Sequence, residues 1–598
     1  MSEQIRAVQH LLGRFKRAQE YGLRETICKV WGRLFSYMRL QVRTFRWTFT
    51  SGKLPSDQEI LGLIEEEWNS LDKLIAHLCS KGCPAVLFSA RDKEEYIEIL
   101  RDRYTLNVEE TIKRAEDIRK HRFQFLGRDL QFTDDIDWHF DPDSGCSWPK
   151  DYIEKIDRWL WSGNRLGDLK LPWELNRHQY FVTLGKAYWL TGDEGYAEEF
   201  TQQITSWIRN NPERIGINWY STLEISIRLI SWALAFHFFR QSKNFIENAG
   251  NLFIKSLYKQ TRFLCDHLTL DWEVRNNHIL GEGTGLIFIA SLFPEFKEAD
   301  EWLRTGLHVF ENELQLQTYS DGVNKEQATS YHRFVLDFLL LIVILSRRGA
   351  IPTLPNLESI SEKMLNYVMH LSQPDGGVPM IGDADDGRGY VLDDGVDFWD
   401  FRACLAIGSV LYQRTDFKFV AKDFGEEAFW LLGPDGIKTF EQMECTTPEK
   451  TSVSFPYSGY YILRDAWTSD SDYALFRCGD FGLGGDGFSA HAHCDLLSFI
   501  LGIRGVPVIV DSGTFTYNGY WRNSFRLTAA HNTLMVDGHE QAKPISEFSW
   551  KDVPEAKCLV WEKNRVVGAM QVAAGIMHRR ELCHPKNGFW EVTDFIEG

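Results

Sequence analysis

Apolar residues recur at helical spacing through most of the chain and switch to a two-residue period towards its end. The helical pattern predicts helices over 57–80, 108–121, 174–190, 194–210, 218–240, 245–266, 277–291, 297–316, 324–347, 357–371 and 398–413. Their connections are rich in Gly, Pro, Asn and Asp, as in GDEG (192–195), NNPERIG (210–216) and SQPDGG (372–377). Long helices on short links predict stacked antiparallel hairpins. No strict repeat is visible, so a regular solenoid is not expected. Hairpins closing into a ring would bury every apolar face and leave a central cleft lined by helix ends and loops.

Beyond about 450 the segments SGYYILRDA (458–466), DYALFRC (472–478), LLSFILGIRG (496–505), VPVIVDSG (506–513) and NTLMVDG (532–538) are short, β-branched or aromatic, and bounded by Gly or Asp. They predict an antiparallel sandwich or stacked sheets. A sandwich stopping at WEVTDFIEG would leave an unpaired edge, so the expectation is a C-terminus cut short or covered. The fold class expected is therefore α+β multidomain. Its zones are a basic helical segment (1–55), a helical domain (56–440) and an antiparallel β-sheet domain (441–598).

Composition narrows this picture. The 598 residues exceed one compact core, and 44% apolar with 14% aromatic residues is globular. Net charge is 66 − 84 = −18, which argues against nucleic acid as a partner. The first 53 residues run the other way, with eleven Lys and Arg against Glu3, Glu20 and Glu25. Such amphipathic helices either lie on an anionic membrane or pack on the protein's own acidic body, and the second is favoured. The longest apolar run, Phe338–Leu345, reads as buried helix, and no secretory leader is seen, so the expected location is cytoplasmic. Eleven scattered cysteines give no disulfide framework, and Cys79 with Cys83 lacks a second pair to complete a zinc knuckle.

Four segments carry unusual polar chemistry. Arg275-Asn276-Asn277-His278 opens a helix, where an asparagine either caps free N–H groups or, with the imidazole and guanidinium, binds a carboxylate. DGVNKEQATSYHRF (321–334) places Tyr331 and His332 at a helix start, with Glu326 and Gln327 a turn earlier; a phenol there is an anchor, a proton donor or a base. In GGDGFSAHAHCDLLSF (484–499) a strand period would put His491 and His493 on one face, which favours metal binding or catalysis over packing. Asp511 and His531 close the set: two imidazoles and a carboxylate from adjacent strands suit zinc, with manganese as an alternative. Trp219 and Tyr220, with Trp138 and His139, are either core, as most of the 21 Trp must be, or a sugar-stacking surface, and Arg522 and Arg526 would hold an anionic substrate. GDADDGRG (382–389) is a hydrolase carboxylate pair, Asp383 and Asp385, a calcium loop, or an exposed Gly-flanked turn, the simplest reading.

At these residues the sequence resembles the heparinase II/III-like polysaccharide lyases. The stretches that carry the resemblance are WELNRHQYFVTLGKAYWLTGDEGYAEEF (173–200), NWYSTLEISIRLISW (218–232), RNNHILGEGTGL (275–286), DGVNKEQATSYHRFVLDF (321–338), HAHCDLLSF (491–499), VDSGTFTY (510–517) and WRNSFRLTAAHNT (521–533). The resemblance implies an incomplete α/α toroid followed by an antiparallel β-sheet sandwich, and β-eliminative cleavage of a uronate polysaccharide, a glycosaminoglycan before alginate. It implies that Asn277, helped by His278 and His491, neutralises the uronate carboxylate. Tyr331 then protonates the leaving oxygen or acts as base, with His278 or His491 as base for the epimeric uronate. It implies one structural divalent metal ion on His493, Asp511 and His531, zinc before manganese. Arg177, Arg275, Arg522 and Arg526 are expected to make the cleft locally basic.

Overall fold

The computed structural model describes residues 53–598 apart from 66–67, 83–84, 162–165, 355, 574 and 587. The expected basic helices of the first 52 residues, and Cys83, lie outside the described residues. By contact the chain divides into two units. The first has as its described part Lys53 and Thr269–Glu273, with a 3-10 turn at Thr269–Asp271. The second, Leu54–Leu268 with Val274–Gly598, holds every other element.

Helices run from Asp57–Gly62 to Tyr520–Arg526, and the long ones before residue 440 fall into two classes. Thr222–Phe239 and Thr329–Arg347 are long and apolar enough to pass for membrane spans, yet they are buried at almost every position. They and Asn277–Leu292 are apolar all round because they are walled on every side. Glu194–Asn210, Gly250–Asp266, Ala299–Gln317 and Leu357–Leu371 bury one stripe and wet the other. Thr222–Phe239 packs on Phe181–Thr191, Gly250–Asp266 and Asn277–Leu292, and the last packs on Ala299–Gln317 and Thr329–Arg347. Inner apolar helices ringed by amphipathic partners make the incomplete α/α toroid.

Several expected helices break. The 174–190 helix is two, Lys170–Arg177 and Phe181–Thr191, because His178 turns left-handed (φ 55) to take a 2.9 Å hydrogen bond from the Trp232 indole. Helix Glu426–Gln442, unread in the sequence, bends at Gly433 and Pro434, the residues that mask its period.

The sheets explain their own sequence pattern. Val453–Phe455, Tyr460–Arg464, Tyr473–Arg477, Phe499–Ile503 and Val506–Ile509 form a five-stranded antiparallel sheet in sequential order. Alternate residues face opposite ways: Tyr460, Ile462, Tyr473 and Leu475 join the helical core, and Tyr461, Leu463, Ala474 and Phe476 join a second core. That second core includes Val566, Met570 and Leu582 of the four-stranded sheet Ala556–Glu562, Arg565–Ala573, Ile576–Lys586 and Phe589–Glu597. The three central strands are therefore covered on both faces and apolar without alternation, while the edge strand Val506–Ile509 is exposed. The expected strand at 532–538 is reduced to one bridge between Val536 and His539. Asn532 there donates its side-chain amide to Phe499 O and Val510 O at 3.1 and 2.8 Å.

Candidate active site

The helical edge of the site is built at two helix starts. Asn276 caps helix Asn277–Leu292, its side chain accepting from the His278 backbone N–H at 3.1 Å. Capping thus falls to Asn276, and Asn277 is committed elsewhere. Its Nδ2 donates to the two oxygens of Glu326 at 3.1 and 3.0 Å, and its backbone N–H to Oε1 at 3.0 Å. Burial pushes the Glu326 carboxyl up, against the pull of His491 and Asn277. The half-buried His278 imidazole is pushed down to about 4 by desolvation, so it is neutral at physiological pH. Tyr331 opens helix Thr329–Arg347; its hydroxyl donates to Asp385 Oδ2 at 3.2 Å and lies 3.2 Å from the Tyr517 hydroxyl. Burial first and Asp385 second push this phenol well above its ordinary range, so it rests protonated. His332 is structural: its ring accepts from Asn324 N at 3.3 Å and sits 3.3 Å from Met364 O.

The sheet edge comes from loops. His491 and His493 lie in a turn and not, as expected, in a strand. Their common partner is a carboxylate: His491 Nδ1 is 3.0 Å from Asp383 Oδ2, and His493 Nε2 is 2.9 Å from Oδ1. The Arg522 guanidinium grips the same carboxylate with Nη1 and, at 2.6 Å, with Nη2. Burial opposes ionisation of Asp383, but Arg522 and the two imidazoles outweigh it and hold the carboxyl well below its ordinary range. GDADDGRG is therefore not an exposed turn, since Asp383 is fully buried. Gly382 (φ +64) makes the approach possible, because a Cβ there would stand 2.7 Å from both Gln327 O and His491 O. The His491 ring then stacks on Tyr331 at 3.8 Å between centroids and 17°, with Nε2 3.5 Å from Glu326 Oε2. Asn277, Glu326, His491 and Tyr331 thus form one continuous surface drawn from both halves of the fold.

Behind His491 lies the expected metal triad. One donor atom from each of His493, Asp511 and His531 falls within 4.8 Å of the others. These residues sit in loops and not on adjacent strands. His531 Nδ1 is 2.8 Å from Asp511 Oδ2, while His493 Nδ1 and His531 Nε2 are buried without a hydrogen-bond partner among the described residues. Two orphaned imidazole nitrogens beside a carboxylate fit a divalent ion, and the Asp383 contact to the other nitrogen of His493 is the outer support such a ligand takes. A second group, Asp337, Cys404 and Glu427, already holds a cation: Arg333 reaches Asp337 at 2.5 Å and Glu427 at 2.6 Å.

Most of the expected substrate contacts are internal. Arg177 is buried, paired with Glu174 and bidentate to Glu224 at 2.7 and 3.0 Å. Arg522 serves Asp383, and Arg526 donates to Glu547 O and Ser546 O at 2.8 and 2.7 Å. Arg275 pairs with Glu313 at 2.6 Å and keeps about a third of its side chain exposed. Trp219 is a core residue, its indole N–H on Asn211 O at 3.1 Å, and Trp138 and His139 are buried too. Arg177, Arg522 and Arg526 are buried against internal carboxylates or carbonyls, and Arg275 alone of the four stays partly exposed. A cavity of about 420 Å³ opens at Lys170 and Tyr517, both of which reach the Tyr331 hydroxyl, and is walled also by Trp148, Trp173, Tyr220 and Phe548.

Sequence reasoning missed Lys170 and Tyr517, noted Glu326 only as a neighbour of Tyr331, and offered Asp383 and Asp385 only as an alternative hydrolase pair. Lys170 and Asp385 form an ion pair that, against burial, holds the Asp385 carboxyl down at about 2. Asp383 and Asp385 are thus ionised and paired, and neither is the protonated acid a hydrolase needs. The signal for Lys170 was available: Lys170, Glu174 and Arg177 share one face at i, i+4 and i+7.

A family model of the heparinase II/III N-terminus matches residues 85–398, and one of the heparinase II/III-like C-terminal region matches 447–598. The chain belongs to the heparinase II/III family. Its similar proteins include a heparin-sulfate lyase of Bacteroides stercoris, 25% identical over 583 residues, covering 90% of this chain and 77% of that protein. Others are heparin-sulfate lyases of Bacteroides thetaiotaomicron, 26% identical over 76% of this chain and 61% of that one, and of Pedobacter heparinus, 27% identical over 67% and 56%. The chain thus spans less than two thirds of those two relatives. Among solved structures, one titled heparinase III superposes with TM-score 0.62 at 19% identity, covering 92% of this chain and 79% of that one. At that identity the likeness shows the fold alone, and this family member has the toroid and sheets in the same order.

Proposed function

We propose that the chain is a glycosaminoglycan lyase that cleaves a heparan-sulfate-type polysaccharide by β-elimination at uronate residues. The observation that carries this reading is the convergence of Asn277, Tyr331 and His491 on one surface, with Tyr331 and His491 in ring contact. The relatives named heparin-sulfate lyases support the substrate class. Elimination needs the uronate carboxylate neutralised, the C5 proton removed and the O4 leaving group protonated. Asn277 and His491 receive the carboxylate; Glu326 fixes the amide by taking one of its N–H groups, shared between its two oxygens, and leaves the other N–H for the substrate. Neutral His278 takes the C5 proton; as the C4–C5 double bond forms and C4–O4 breaks, Tyr331 gives its phenolic proton to O4. Solvent then returns the proton from His278 to Tyr331. Donors set in advance where charge gathers on the carboxylate are the electrostatic part of the rate.

A divalent ion, zinc before manganese, on His493, Asp511 and His531 would fix the loops that carry His491; its part is structural. The test is ultraviolet absorbance of the unsaturated product on heparan sulfate, hyaluronan, chondroitin and alginate. A rise on a glycosaminoglycan, strongest on heparan sulfate, is expected. New reducing ends without absorbance would establish hydrolysis and overturn the reading.

A further inference from the structure

We propose that Lys170 is a positioning residue for the elimination, its ammonium holding the Tyr331 oxygen as that oxygen gives up its proton. The inference rests on Tyr331 being the proton donor. Lys170 Nζ lies 3.5 Å from the Tyr331 hydroxyl oxygen and 3.6 Å from the Tyr517 ring centroid, and it pairs with Asp385. The Tyr331 hydroxyl donates to Asp385 and can accept from both Lys170 and the Tyr517 hydroxyl. When the proton moves from Tyr331 to O4, the hydrogen bond to Asp385 is given up. The phenolate left behind then faces one cation and one O–H. Without the cation it would face Asp385 and the Tyr517 O–H, losing the ammonium's attraction while keeping the carboxylate's repulsion, and both losses oppose the transfer.

The simpler alternative is that Lys170 only neutralises Asp385. Two features favour the larger role. Asp385 has other support, accepting the Gly387 N–H at 3.1 Å and standing in the field of Arg177. Lys170 also lines the aromatic-walled cavity that Tyr517 borders. A lysine serving one buried carboxylate has no need to touch that cavity.

The experiment compares kcat and KM for Lys170→Met, Lys170→Ala and the double variant Lys170→Met/Asp385→Asn on heparan sulfate. Lys170→Met is expected to lower kcat about 10²-fold or more, the scale of assisted proton transfer, with KM changed far less. Lys170→Ala opens space into the cavity, so ethylammonium should restore turnover saturably while ethanol should not. The double variant, with neither charge, should stay slow. Unchanged kcat in Lys170→Met, no rescue by the amine, or recovery in the double variant would each overturn the proposal. Lys170→Arg, which keeps a cation, covers the case in which Lys170→Met does not fold; it should stay within about tenfold of the parent, and loss as deep as in Lys170→Ala contradicts the role. Turnover retained by Tyr331→Phe would remove the reaction reading itself. Tyr331→Phe inactive with Lys170→Met fully active removes only Lys170.

Discussion

The two edges of the site are held in different ways. On the helical edge, Asn277, His278 and Tyr331 begin long buried helices, so packing of the toroid fixes them. On the sheet edge, His491, His493 and His531 lie in loops, and Asp383, Arg522 and Asp511 fix them through charge. One edge is set by apolar burial and the other by ionic contacts around two carboxylates, Asp383 and Asp511. The helical edge should therefore tolerate chelation and lose function only when a reacting atom is removed. The sheet edge should fail whenever its charge balance is disturbed.

The comparison breaks most sharply at Tyr331. Tyr331→Phe deletes one hydroxyl at the packed edge, so kcat should drop by about 10³-fold or more with little change in melting temperature or affinity. Activity near the parent's would take Tyr331 out of the chemistry. Asp383→Ala tests the other edge and should cost both properties together. It strands the buried Arg522 guanidinium and frees two imidazoles, a loss of about 3–5 kcal/mol by analogy with broken buried pairs. Denaturant unfolding and turnover measure the pair of effects; a fully stable variant would show that Asp383 is not the anchor.

His493→Ala is expected to lower bound metal and melting temperature in parallel, and chelation of the parent should do the same. Lost turnover with metal and melting unchanged would contradict the ligand assignment. A smaller effect separates the bases. Because desolvation holds His278 at about 4, its imidazole stays unprotonated as pH falls through 6.5 and is lost as a base only near 4. The acid limb of kcat/KM, which reports the free enzyme, should follow that lower value, and a limb near 6.5 would point to a different base. The smallest effect expected is for Trp219→Phe: as a core residue it should alter melting slightly and leave KM within about twofold. A large rise in KM would restore it as a sugar platform.

The toroid and sheets were legible because each rests on periodicity, and buried elements write their periods strongly. Asn277, Tyr331 and His491 were legible as polar residues set in apolar surroundings. What the sequence hid was partnership. Arg177, Arg522 and Arg526 look like ligands for an anion until Glu224, Asp383 and Glu547 O are seen to occupy them. Asp383 sits in a Gly-rich run that reads as a surface turn, and its burial depends on His491 and Arg522, more than a hundred residues away. Long-range pairing of this kind leaves no local signal.

The central claim is that groups from both edges act on one sugar ring. The most direct test is a crystal structure of the Tyr331→Phe variant with a heparan-sulfate oligosaccharide. The account predicts a single uronate whose carboxylate lies within hydrogen-bond distance of Asn277 and His491, with C5 beside His278 and O4 over the ring at position 331. An oligosaccharide whose uronate touches only the helical edge or only the sheet edge would contradict it.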